Sequence, residues 1–272
     1  MTYVPKFTFS FSLVKTLNAI ERLIGFLEGA PLTDEWIANM QAQALYKEAH
    51  ATTHIHGSHL SWNEAERLMT GHEVPEVIPD EVKALLNYKE AQAHLVGPGK
   101  TEVQITENGL LHMQKLLVRD VKGNRDHPGK YRSMQNYVYD KKTKELIYTP
   151  PQALEISILM RNFVIWLEEA KNLPPLIMAG IAQFQLVNIH PFVGGNGRTA
   201  RLLSQLLLYR AGYDCKRLYP LSPFYDSDLS GYYAALKSVR EHGKDQTKWL
   251  EYFTGGILKQ LQEVVYEAKL VV

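Results

Sequence analysis

Two apolar runs at helical spacing, Leu176 to Ile189 and Leu202 to Tyr209, flank a short polar link from His190 to Arg201. Pro191 stops the first helix, and Phe192 is a hydrophobic anchor for the loop that follows. The second helix begins between Asn196 and Thr199, carries Leu202, Leu203, Leu206, Leu207 and Tyr209 as its apolar positions, and ends near Gly212. Its first turn is rich in glycine. Unpaired N–H groups and the positive end of the helix dipole make such a turn an anion site. Glycines at 194, 195 and 197 let an oxyanion approach with no Cβ in the way. Arg198 and Arg201 stand about one turn apart, so both reach one face. Guanidinium forks match phosphate oxygens better than an ammonium does.

His190 closes the first helix. A neutral imidazole, with an ordinary pKa of about 6.5, accepts a hydroxyl proton near neutrality. The plainer reading is a capping histidine before a tight turn with two solvated arginines. A base, three glycines and both arginines in one loop weigh against it. The loop lacks the Gly-Lys-Ser/Thr ending of a Walker A sequence, and no parallel-strand unit precedes it as a dinucleotide fingerprint requires.

This run resembles the Fic family signature His-Pro-Phe-x-x-Gly-Asn-Gly-Arg-x-x-Arg, and the likeness extends over nearly the whole chain, most strongly from Gly129 to about Gly256. The resemblance implies a mainly helical, all-α fold with a small β-hairpin flap. It implies a protein adenylyltransferase that moves AMP from ATP to a Ser, Thr or Tyr hydroxyl of a target protein and releases pyrophosphate. His190 would be the catalytic base and Phe192 the loop anchor. Gly194, Gly195, Asn196 and Gly197 would cradle the nucleotide phosphates, with Arg198 on the γ-phosphate. Arg201 would hold phosphate or pair with the family's inhibitory glutamate.

Gly129 through Tyr139, Asp140 to Lys144 and Leu146 to Pro151 read as strand, turn and strand before a helix. Fic proteins carry a flap here that pairs with an extended segment of the target, so Tyr131, Arg132, Asn136, Tyr137 and Val138 are expected to dock it. Such a hairpin also reads more simply as a cover for core. Gly197 argues against the relatives that phosphorylate, which carry Lys there.

Two departures from the family pattern matter. The acid that usually precedes Gly-Asn-Gly-Arg and helps hold Mg²⁺ is Gly194 here. No protein metal ligand is therefore expected, and Mg²⁺ or Mn²⁺ would be held mainly by phosphates and water. Upstream, Thr52 to Gly57 resembles the inhibitory segment Ser/Thr-x-x-x-Glu-Gly/Asn, with His56 at the glutamate position. A neutral imidazole cannot bond Arg201 bidentately and a protonated one would repel it, so autoinhibition is expected to be weak or absent. Removal of AMP, which leans on that glutamate and on metal, is not expected. A catalytically impaired nucleotide-binding or protein-interaction module is the alternative that Gly194 favours. His50 and His54 have the i, i+4 spacing of a zinc clamp, but no cysteine or acid nearby completes a set.

The remaining sequence sets bounds. The chain is 272 residues long with a net charge of +1, which gives no bulk attraction to nucleic acid or to an anionic membrane. Lys141, Lys142 and Lys144 read as a solvated hairpin turn, and no apolar run reaches the length of a membrane span. A single cysteine, Cys215, and no opening signal-peptide pattern make the cytoplasm the expected location. Helices are expected over Leu13–Leu27, from Thr33 or Asp34 towards Ala51, from the Ser61/Glu64 capping box to Thr70, over Asp80–His94, Thr106–Asp120 and Gln152–Asn172, and at Ser227–His242 and Asp245–Lys269. Gly97-Pro98-Gly99 is the expected boundary between an N-terminal region, 1–96, and a core, 100–272. Tyr232, Tyr233, Leu236, Trp249, Tyr252 and Phe253 resemble a C-terminal Fic pattern, as core or as the lining of an adenine pocket. ATP and an unidentified target protein are the expected partners, and a homodimer is the family's common assembly.

Overall fold

The computed structural model describes residues 3–96, 105–121, 127–139 and 144–272. Four helices come first: α1 (Phe11–Gly29), α2 (Asp34–His54), α3 (Trp62–Met69) and α4 (Pro79–Val96). Then come α5 (Glu107–Val118), a hairpin of β1 (Val138–Tyr139) and β2 (Leu146–Tyr148), α6 (Ile156–Glu169), α7 (Pro175–Ile189) and α8 (Asn196–Arg210). The short α9 (Ser222–Ser227), α10 (Leu229–Glu241) and α11 (Thr247–Lys269) close the fold. Among the described residues the architecture is thus helical with one small antiparallel hairpin, in which Val138 lies opposite Tyr148.

Local chemistry sets most helix starts. Ser10, Thr33 and Thr106 accept hydrogen bonds from backbone N–H groups three residues on, and Ser61 with Glu64 forms a full capping box. α9 is different: no local side chain caps it. Its N-terminus is satisfied by Glu48 of α2, whose Oε2 accepts from Leu221 N at 2.8 Å and Ser222 N at 2.7 Å, while Oε1 accepts from the Ser222 hydroxyl. A carboxylate at a helix N-terminus also complements the dipole.

α7 is buried on nearly every side, as expected of a helix apolar all round, and α8 packs along it. α11 covers α7 at Gly180, where a Cβ would lie 2.8 Å from Leu250 Cδ2. Trp249, wholly buried, donates its indole N–H to Gly180 O at 2.7 Å. Tyr225, Tyr232, Tyr252 and Phe253 gather round Trp249, so these C-terminal aromatics are chiefly core. α1 lies along α11, and one hydrophobic core runs from Leu13 to Ala268. The boundary expected at Gly97 to Gly99 and the lysines at 141 and 142 lie outside the described residues. The first four helices share the core of the rest.

Candidate active site

His190 is the C-cap of α7 and adopts a left-handed conformation, φ 51°, ψ 57°, while its N–H still bonds Leu186 O at 3.0 Å. Pro191 cannot continue the helix, so the chain turns there and the imidazole is set at the corner. Its Nδ1 is buried beside the Val187 carbonyl without a well-formed hydrogen bond. Burial pushes the imidazole pKa down to about 4; the Val187 carbonyl opposes this, and the charges of Arg132 and Arg240 add to it. At neutral pH the ring is a proton acceptor.

The loop after it is fixed by its own residues. Phe192 is fully buried against Tyr131, with ring centroids 5.8 Å apart. Asn196 accepts from Phe192 N at 2.9 Å through Oδ1 and donates to Phe192 O at 2.9 Å through Nδ2. The asparagine side chain is therefore a latch on the backbone rather than a phosphate ligand. Only its backbone N–H belongs to the expected cradle. Gly195 caps α8 at φ 82°, and a Cβ there would sit 2.8 Å from Val118 Cγ1. Gln114 of α5 donates to Gly194 O at 3.0 Å and accepts from Gly129 N at 2.6 Å, tying the loop to the segment before the flap.

Both arginines of the motif are buried. Arg198 donates Nη1 to Leu117 O at 3.2 Å, its Nε has no partner, and burial with Arg201 close by lowers its pKa to about 10. Arg201 donates Nε to Thr52 Oγ1 at 2.8 Å and Nη2 to Thr52 O at 3.2 Å and to His56 Nε2 at 3.0 Å. A guanidinium has no acceptor, so Nε2 of His56 is the unprotonated nitrogen. The His56 ring stands over the cradle: a Cβ on Gly197 would lie 2.8 Å from both Cε1 and Nε2. A cleft of about 240 Å³ opens beside it, lined by His56, Gly57, Ser58, Glu81 and Arg198. That is below the range of about 300–1,000 Å³ usual for small-molecule sites. Thus the upstream segment and the motif, far apart in sequence, meet here.

The expected flap residues divide. Tyr137 is half exposed, and Val138 and Tyr139 form β1, so a strand edge is available beside the loop. Asn136 instead turns inward and donates to Phe192 O at 3.0 Å. Arg132 is buried, with Nε on His190 O at 2.9 Å, Nη1 on Met134 O at 2.9 Å and Nη2 on Pro151 O at 2.6 Å. Its side chain is thus not offered to a docking partner, and any part it takes in docking falls to its backbone. Tyr131 is likewise turned in, and burial raises its pKa. At the other side of the base, the Arg240 guanidinium lies 3.5 Å over the Tyr148 ring, and Tyr148 donates to Asn188 O at 2.7 Å.

Sequence reasoning missed Gln114, Glu48 and the pairing of Thr52 with Arg201. A glutamate within the inward stripe of α2 was a usable signal for Glu48. Nothing local marks the other two. The paired histidines do not gather a metal set: His50 Nε2 meets Leu60 O at 2.8 Å and His54 Nδ1 meets Asp226 Oδ1 at 2.7 Å. With Gly194 at the acid position, the loop offers a hard cation no carboxylate, and among the described residues no group of three His, Cys, Asp or Glu could hold a metal. No helix among them is long and apolar enough to cross a membrane.

Comparison with known proteins agrees with this geometry. Residues 104–208 match the Fic/DOC family. The protein adenylyltransferase Fic of Drosophila grimshawi is 33% identical over 136 residues, covering 49% of this chain and 26% of that protein. Its namesake from Drosophila mojavensis is 45% identical over 87 residues, 31% of this chain and 16% of that protein. The matched stretch therefore spans at most about a quarter of these relatives. A Fic family protein from Desulfovibrio desulfuricans G20 shares the fold with a TM-score of 0.83 at 23% identity, covering 97% of this chain and 77% of that one. A fragment of Fic-1 from C. elegans does so with a TM-score of 0.78 at 22% identity, covering 96% and 74%.

Proposed function

We propose that this chain is a protein adenylyltransferase restrained by a weak histidine latch. The observation that carries the reading is the meeting of a neutral, cornered His190 with a helix N-terminus flanked by two buried arginines. His190 accepts the proton of a target hydroxyl. The oxygen attacks the α-phosphorus of ATP, the bond from that phosphorus to the oxygen bridging to the β-phosphate breaks, and pyrophosphate leaves with its electron pair. The backbone N–H groups at the start of α8, with Arg198 and Arg201, bind the phosphates and take up the charge that develops on the leaving group. The exposed strand edge at Val138 and Tyr139 pairs with an extended segment of the target.

Magnesium or manganese would travel on the phosphates, since the loop supplies no ligand. Each part of the mechanism above is a task for the chain's own groups. His56 takes one hydrogen bond from Arg201 where a glutamate would take two, so the latch over Gly197 is displaced more easily than a carboxylate. The adenylyltransferase names of the fly relatives support the same activity. Gly194 favours a second reading, a Fic-fold module that binds nucleotide with little turnover.

The test is incorporation of α-³²P from ATP into protein, self-labelling included, with Mg²⁺ or Mn²⁺, for the chain as it stands and for His190→Ala. Label that disappears with the histidine supports transfer. Label absent from both, with ATP still bound, leaves the binding module as the better reading.

A further inference from the structure

Among the described residues no carboxylate stands behind the base of this site. In a hydrolase triad an acid orients the histidine from Nδ1 and stabilises its charged form. Among the described residues, Nδ1 is buried with the Val187 carbonyl beside it, and the charged groups that act on the ring are the cations Arg132, from the segment before the flap, and Arg240, from α10. Something else must hold the ring at its angle, and the left-handed backbone of a non-glycine residue must be held too, since that conformation is disfavoured by about 1–2 kcal/mol.

Arg132 is placed to do both. It is buried, carries no ion pair among the described residues, and directs its whole fork at main-chain carbonyls. Nε bonds the carbonyl of His190 itself, and the Arg132 backbone N–H bonds Pro191 O at 2.9 Å. Two successive carbonyls, at and after the base, are thus gripped by one residue. The other ends of the fork hold Met134 O, on the approach to β1, and Pro151 O, on the exit from β2. A guanidinium suits this task because its donors diverge in a fixed plane; an ammonium on a flexible stem cannot reach three carbonyls in a set geometry.

We infer that Arg132 is the positioning residue of the catalytic base: it fixes the backbone that carries His190 and joins it rigidly to the two roots of the target-binding flap. It makes no contact with the phosphate cradle. Docking of a target strand and aiming of the base are then one mechanical unit, so a flap drawn into place carries the base with it. The inference rests on the adenylyl-transfer reading, but its geometry stands on the apo fold.

Two variants test it, Arg132→Met, which removes fork and charge, and Arg132→Lys, which keeps the charge and loses the fork. Each would be checked for native circular dichroism and assayed for kcat and for the KM of ATP. The His190 Cε1–H resonance, assigned by its loss in His190→Ala, would be titrated by NMR in each form. The expected result is a fall in kcat of about 10- to 100-fold in both variants, in line with small misplacements of catalytic groups, with the KM of ATP within about twofold. The His190 titration midpoint should rise in Arg132→Met and rise less in Arg132→Lys. A folded Arg132→Met or Arg132→Lys with unchanged kcat would overturn the inference, as would a fall expressed only in KM. If the unaltered chain transfers no label, the adenylyl-transfer reading has failed on its own. The NMR arm then decides this one: a His190 resonance unmoved in position and midpoint by either substitution would sink it, and a shift in Arg132→Met would sustain it.

Discussion

Arg201 donates an Nη2 hydrogen bond to His56 Nε2 at 3.0 Å, while Thr52 takes up Nε and a second bond from Nη2. The arginine that the motif offers to phosphate is therefore engaged by the end of α2, and the engaging ring is uncharged at the contacting nitrogen.

Changing that ring should move the transfer rate in both directions. His56→Gly removes the acceptor and uncovers Gly197, so labelling should rise. His56→Glu exchanges a hydrogen bond in which only the donor is charged for an ion pair, a difference of about 1 kcal/mol, and should lower labelling by roughly fivefold. Initial rates of label incorporation at fixed ATP give both numbers. A His56→Glu form that labels faster than the parent would contradict the latch.

Gly197 and His56 should be coupled in stability. A Cβ at 197 would press within 2.8 Å of the imidazole, with Arg201 Nη1 at 3.2 Å. In the parent, Gly197→Ala should lower the melting temperature. In the His56→Gly background the same change should be near neutral or stabilising, since alanine is favoured over glycine within a helix by about 1 kcal/mol. A double-mutant cycle by urea unfolding would show this as a coupling of about 0.5–3 kcal/mol, and additivity would refute the contact.

The depressed pKa of His190 makes a claim about pH. Its folded value of about 4 lies below the ordinary 6.5, so between these values the unfolded chain binds the proton and the folded one does not. Stability from this group is full above pH 6.5 and is lost as pH falls towards and below 4, by about 3 kcal/mol in all. His190→Ala should flatten the unfolding free energy over that window relative to the parent. The base stays neutral throughout it, so kcat should show no His190 limb near pH 6.5. A limb there that vanishes on restoring only Asp at 194 would point elsewhere.

Gly194 lies outside the left-handed region, so a side chain meets no backbone objection there. Gly194→Asp restores an acid beside the cradle. Labelling should rise by about tenfold or more with Mg²⁺, and the metal concentration for half-maximal rate should fall, because a carboxylate then shares the cation. An unchanged metal dependence would show that phosphates alone already satisfy it.

Much of this was readable from the chain, for identifiable reasons. Thr33, Ser61 with Glu64, and Thr106 announce their helices because a cap and its partner lie within one turn. The cradle was readable because His190 to Arg201 is contiguous. α9 was not, because the carboxylate that starts it comes from Glu48, on a helix far earlier in the chain. The hold of the Arg132 side chain on three carbonyls was not readable, because carbonyls leave no mark in sequence. The turn of the Asn196 side chain back onto Phe192, four residues before it, is shown only by the fold.

Glu48, Thr52 and His56 recur at four-residue intervals along and just past α2; Glu48 holds the start of α9, while Thr52 and His56 both hold Arg201. Moving α2 bodily would break all three holds, including the bonds of Glu48 to α9. Loosening the turn that follows its last residue, His54, breaks only the hold of His56. Opening over Gly197 is therefore a fraying event, and loop and terminal motions of that kind run on nanoseconds to microseconds. Typical enzymes turn over about ten times a second, several orders of magnitude slower. His56 thus acts through the fraction of time the cradle is covered. On the adenylyl-transfer reading it would scale the effective affinity for the nucleotide and leave the rhythm of catalysis to the steps that follow.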